Sequence, residues 1–341
     1  MKKLLLIVGI AFVAVGNVKA QDIHFSQFFT SPLTLNPALT GKFDGQFRAA
    51  GNYRNQWPTI YDAFVTKSAS IDFGVMKNRI PEIDQMGVGV LGFTDRAGDG
   101  VLVTNSAGLS LAYHKGLDED GFHSIGVGFQ GSYTNKRLDV SRVTFADQLT
   151  PLGFTGTTSE VFNNKQINVG YADINAGILY NGSTNGYNNF YIGASMYHIN
   201  RPKESFQGTN FLLSPRTTLQ AGAKIPLGST YNYFHFASIY SIQAGAKDIV
   251  MGGSVEYNVN HSEDDPTNIY LGAWTRFNNV NDAIIPYIGL EFKGLRIGYS
   301  YDVNISQLNK ASNMQGGNEI SLIYIKKPSD PNAKKLNCPK F

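Results

Sequence analysis

The side chains able to do acid, base or nucleophilic chemistry are few and dispersed. His24, His114, His123, His198, His235 and His261 are scattered along the 341 residues, none in a His-Glu-x-x-His spacing or beside paired cysteines that would hold a metal. Ser195 and His198 are neighbours in the chain, but an odd separation on a strand sends two side chains to opposite faces, away from a Ser–His pair. No Gly-x-Ser-x-Gly elbow and no phosphate-cradling glycine loop occurs. The acidic run Glu263-Asp264-Asp265 offers oxygen ligands, yet it lacks the spaced acids and turn glycine of a calcium loop and reads as a solvated turn. Cys338 is the single cysteine, so no intrachain disulfide is available to it. The expectation is a protein without catalysis, cofactor or metal.

What the chain does carry is charge at regular intervals, and the elements that position it follow from a two-residue period. Glycine- and tyrosine-rich segments of about ten residues alternate apolar with polar side chains, the pattern of a wall between lipid and a wet lumen. In 295–302, Leu295, Ile297, Tyr299 and Tyr301 form one set, and Arg296, Gly298, Ser300 and Asp302 the other. The segment before it separates Ile284, Ile288, Leu290 and Phe292 from Tyr287, Gly289 and Glu291. About fourteen such strands are predicted, making an all-β transmembrane antiparallel barrel over 44–325. In-strand glycine pairs such as Gly87/Gly89 and Gly126/Gly128 suit curvature and close packing.

Loop parity agrees. With both ends in the periplasm, connections after odd-numbered strands face outside and can be long. The long gaps, 138–170, 200–214 and 303–317, follow predicted strands five, seven and thirteen.

The same register turns Arg48, Arg54, Asp72, Asp173, Arg216 and Lys224 inward, and with them Glu256, Arg276, Glu291, Arg296, Asp302 and Glu319. Two readings stay open: structural ion pairs, since an unpaired buried charge is costly, or the selectivity zone of a transport channel. Some stretches resist the scheme. Residues 231–242 are aromatic or apolar on both faces, and Lys67 falls on the lipid side of strand two.

Ahead of the barrel, Lys2 and Lys3, an apolar run from Leu4 to about Val15 and the small-residue site Val18-Lys19-Ala20 read as a cleaved secretory signal, residues 1–20. Residues 21–43 mix Phe25, Phe28, Phe29, Leu33 and Leu35 with Pro32 and Pro37, which exclude a regular helix or central strand. Such a segment needs a surface to cover, and it is expected to plug the barrel interior or cap its periplasmic mouth. The lysine-rich tail 326–341 reads as an exposed periplasmic extension. No later apolar run reaches the roughly 18 residues of a spanning helix. A net charge of only +3, spread along the chain, offers no stripe for nucleic acid.

Several phrases carry a family resemblance. His24-Phe25-Ser26-Gln27 is followed by Asn36-Pro37-Ala38 and Gly41; Asn52-Tyr53-Arg54-Asn55-Gln56-Trp57-Pro58 comes next; Gly298-Tyr299-Ser300-Tyr301-Asp302 precedes a final Asn318-Glu319-Ile320-Ser321-Leu322 strand. This resembles the PorP/SprF family of Bacteroidota outer-membrane proteins from end to end of the expected mature chain. The resemblance implies an integral outer-membrane protein that works with type IX translocon components to export, and hold at the surface, large adhesins bearing a C-terminal sorting domain. It also implies a link to a periplasmic peptidoglycan-binding protein and, in gliding bacteria, support of motility. The long loops carry Phe145, Phe154, Phe162, Phe206 and Phe211 as candidate partner anchors, unless those loops fold inward to close the pore. A general porin or solute-uptake channel is the alternative function, because fold alone does not choose between the two.

Overall fold

In the computed structural model the described residues are 22–60, 63–76, 79–162, 164–206, 211–228, 231–261, 266–278, 282–327 and 338. The expected signal, the acidic turn 263–265 and most of the tail lie outside them. Fourteen strands close into one barrel. They are β1 (Phe47–Gln56), β2 (Phe64–Val75), β3 (Gln85–Ala97), β4 (Leu102–Gly116), β5 (Ser124–Asp139), β6 (Gln166–Gly182) and β7 (Asn189–Tyr197). The second half comprises β8 (Arg216–Pro226), β9 (Tyr233–Gln243), β10 (Ala246–Asn258), β11 (Thr267–Phe277), β12 (Ala283–Phe292), β13 (Leu295–Asn304) and β14 (Gln315–Lys326). Each strand pairs antiparallel with its chain neighbour, and β14 pairs back onto β1, with Arg54 opposite Glu319. Closure leaves no edge strand, which is the condition for a sheet to stand in lipid. Among the described residues no helix is long and apolar enough to cross a membrane.

Burial alternates along the strands: Ile284, Ile288, Leu290 and Phe292 of β12 are exposed, whereas Ile285 and Tyr287 are buried. The three longest connections, 140–165, 198–215 and 305–314, all leave odd-numbered strands and so crown the same end, the extracellular end of such a barrel. The first of these connections carries two short 3-10 turns and a small hairpin, Leu149–Thr150 with Gly153–Phe154. β5 and β6 run farther than their alternation suggests, pairing Arg137 with Asn168 and Lys136 with Val169. Above the lipid both faces are wet, so the period vanishes while the backbone ladder continues.

Candidate functional site

Residues 22–43 touch inward-facing side chains from both halves of the wall, which is geometrically attainable only inside the cylinder. Asp22 meets Gln243, His198 and Arg216, at the extracellular end. Ser26 and Gln27 reach β13 and β14, Leu33 and Leu35 reach β5 and β7, and Lys42 reaches Gln85 and Ser124, at the periplasmic end. The chain therefore runs the length of the lumen, with Asp22 among the outer loops and Phe43 below. Its start lies opposite to a periplasmic cap.

The outer end is fixed by charge. The Asp22 amide donates to Gln243 Oε1 at 2.8 Å, and Gln243 Nε2 donates back to Asp22 Oδ1 at 3.0 Å. His198 lies just past β7, with φ 60°, a left-handed turn that brings its ring inward. There Nε2 is 2.7 Å from Asp22 Oδ2 and Nδ1 is 2.8 Å from Asp173 Oδ2. Burial opposes the histidine's charge, but the hydrogen bonds to Asp173 and Asp22 outweigh it and push its pKa up to about 9. Burial likewise opposes the Asp22 charge, yet Arg216, His198 and Gln243 hold that carboxyl well below the usual carboxylate range. Ser195, by contrast, donates to the Leu35 carbonyl at 2.8 Å, so Ser195 and His198 both serve the segment and not each other.

One level down, Ser26 sits in a closed polar knot. Its amide and that of Gln27 donate to the two carboxylate oxygens of Glu319, at 2.8 and 2.9 Å. Its hydroxyl donates to Asp302 and accepts from Arg54 and Arg276. Arg54 also bridges Asp302 at 2.9 Å and Glu319 at 3.0 Å, and Arg276 reaches Asp302 at 2.9 Å. Two guanidinium groups face two carboxylates, so the knot balances its own charge, as burial demands.

Farther in, the wall makes room by omitting side chains. Glycine at 128 leaves space for the Pro37–Ala38 peptide, glycine at 177 leaves space for the Asn36 side chain, and a Cβ at Gly87 would overlap Thr40 and Gly41. Asn36 uses that closeness: its Nδ2 donates to Ile178 O at 3.1 Å, and its Oδ1 accepts the Ala38 amide at 2.8 Å. Gly41, at φ +70°, donates its amide to Asp72 Oδ2, which also receives Arg48. The in-strand glycines thus make a track for the segment, a role that curvature alone does not reveal.

Apolar contacts complete the seat. Phe29 stacks on Trp274 at 4.7 Å and meets Tyr287 edge-on, within a buried cluster that includes Ile239, Val250 and Ile285. Burying each such side chain is worth about 1.5–3 kcal/mol relative to a wet lumen. This explains the stretch 231–242: Ile239 is apolar and inward because Phe28 and Phe29 need covering.

Every expected lumen charge is buried or half-buried and has a partner. Besides the groups above, Arg216 donates to the Ile23 and Thr34 carbonyls. On the periplasmic side Lys224 and His235 meet Glu256, and Arg296 meets Glu291. Among the loop aromatics, Phe145 and Phe162 stack on each other with centroids 5.6 Å apart, Phe206 is half-buried, and Phe154 and Phe211 are exposed. Cys338, expected in an exposed tail, is instead buried. Lys67 does face outward, beside the outer end of β2, with its ammonium 5.7 Å from the Tyr53 ring. Among the described residues no group of three His, Cys, Asp or Glu side chains could hold a metal.

A closed antiparallel cylinder with an apolar exterior and a lumen lined by paired charges is an outer-membrane β-barrel. The sequence model of the type IX secretion system membrane protein PorP/SprF matches residues 17–324, and the chain belongs to that family. No curated protein matches it in sequence. Among solved structures it is similar to a FadL homologue of Pseudomonas aeruginosa, at 9% identity and TM-score 0.49, covering 85% of this chain and 92% of that one. It is also similar to CdiB from Acinetobacter baumannii, at 8% identity and TM-score 0.47 over 82% of this chain and 59% of that one. A third is the CymD monoaromatic hydrocarbon channel, at 12% identity and TM-score 0.47 over 88% and 94%. These likenesses concern the barrel alone.

Proposed function

We propose that this barrel is a closed outer-membrane anchor of type IX secretion, supporting export and surface retention of a large adhesin with a C-terminal sorting domain. In this reading residues 21–43 plug the lumen, the outer loops grip the exported domain, and the periplasmic face, with the tail 326–341, docks to translocon components and to a peptidoglycan-binding protein. In a gliding bacterium the held adhesin would serve motility. The observation that carries the proposal is the segment 22–43, bonded to the wall from Asp22 to Lys42, which leaves little reason for the barrel to be a conduit. Support for the grip comes from loop 140–165, where Leu152 and Val161 are 87% and 84% exposed above the lipid level. Exposed side chains on a long loop carried by a rigid barrel are positioned to meet a partner.

The test is surface retention. Leu152→Asp with Val161→Asp, or deletion of 140–165, should leave the barrel assembled while the adhesin is shed into the medium. Normal retention with an assembled barrel would remove this loop from the grip.

A further inference from the structure

The wall formed by β2 to β6 differs from the rest of the exterior in two independent ways. The first is charge at the extracellular rim. Lys67 on β2, Arg96 on β3 and Arg137 on β5 all point outward and are exposed. Arg96 and Arg137 flank Val103 in register, and Lys67 pairs with Thr94, two residues along from Arg96. Two strand spacings separate the arginines, about 10 Å. Among the described residues none of the three forms an ion pair. The nearby acids are otherwise engaged: Asp99 bridges Arg142 at 2.6 Å, and Asp139 accepts from Ser141. At the same level the outward residues of β9, β11 and β13 are Ile242, Phe277 and Val303, and the exposed Lys247 of β10 stands alone opposite Ile242, so three cations are grouped on this wall.

The second is a groove below them. A cavity of about 640 Å³ opens on the outer surface between Val90, Leu109, Phe129 and Ile174. Its gap lies at Gly131, which stands in register between Leu109 and Ile174 and where a Cβ would meet nothing within 4 Å. From Gly131 to Arg137, and from Val90 to Arg96, six residues of strand span about 20 Å. At a strand tilt of about 40° that is roughly 15 Å of depth, one leaflet of a hydrocarbon core about 30 Å thick. The cations therefore stand at headgroup height when the groove lies along the acyl chains.

We infer that this face is a binding site for a phosphorylated, multiply acylated glycolipid of the outer leaflet. The phosphates lie on Arg96, Arg137 and Lys67, and one acyl chain fills the groove at Gly131. Arginine suits the first task because its planar fork pairs bidentately with phosphate. The small outward row Gly51, Ala69, Gly92 and Ala107, in register across β1 to β4, lets a further acyl chain lie flat beside the groove.

The test is titration of the delipidated full-length protein with bisphosphorylated lipid A, read by native mass spectrometry. Expected is a one-to-one adduct that the double substitution Arg96→Gln with Arg137→Gln weakens at least tenfold, and that Gly131→Trp weakens independently. Gly131→Leu repeats the second arm should tryptophan impair assembly. Dephosphorylated lipid A should bind at least tenfold more weakly, phosphatidylethanolamine no better than that, and millimolar inorganic phosphate should not compete. Equal retention of phosphatidylethanolamine and lipid A, or an adduct untouched by both sets of substitutions, would overturn the site. Competition by free phosphate would also overturn it, since the groove would then hold nothing.

Discussion

Gly128 of β5 lies backbone to backbone with Ala38 of the inner segment: a Cβ at position 128 would overlap the Ala38 amide nitrogen and the Pro37 carbonyl carbon. Three residues along the same strand, Gly131 faces out into open space. The pair separates two roles for glycine in one strand and gives a matched experiment. Gly128→Leu should displace residues 22–43, a strain of about 1–3 kcal/mol or more, while Gly131→Ala should change nothing measurable in the segment. Amide hydrogen exchange over 22–43 reads the difference.

The knot around Ser26 sets a second prediction. Arg54 is 2% exposed and Asp302 and Glu319 are 1% exposed, so Arg54→Ala leaves two buried carboxylates short of a cation. A loss of about 3–5 kcal/mol is expected, seen as a lower Tm in detergent. The surface pair Arg142–Asp99, at 44% and 66% exposure, is the control, and Arg142→Ala should cost less than about 1 kcal/mol.

The outer latch is pH dependent in a definite direction. His198 is raised from 6.5 to about 9 on folding, so its stabilising charge is fully present below pH 6.5 and is lost as pH climbs through about 9. Asp22 is depressed, so its share is present above the usual carboxylate pKa and is lost only in acid. Between pH 6.5 and 9.5 the amides of 22–27 should lose protection beyond the intrinsic rise in exchange rate. The variant His198→Gln should show no such step. A step of equal size in that variant would assign the loss elsewhere.

Much of this was legible in the chain. Strand parity placed Arg54, Asp302 and Glu319 inward, because a period of two needs only the identity of neighbours. It could not pair them, since Arg54 and Asp302 are 248 residues apart and meet only when the barrel closes. The apolar inward residue Ile239 was the visible trace of a buried partner, and Phe28 and Phe29 were the matching half. The direction of the segment was invisible: Asp22 is an ordinary exposed-type residue until Arg216, His198 and Gln243 converge on it. Gly128 suits curvature or close packing alike in the sequence, because nothing local distinguishes bending from making room for a distant segment.

The central claim is that the N-terminal segment closes the lumen, and single-channel recording in planar bilayers tests it most directly. The intact protein should show little or no steady conductance, whereas a chain lacking residues 22–43 but still assembled as a barrel should pass persistent current. Persistent current through the intact protein, at the level of the shortened one, would contradict the account and restore the porin reading.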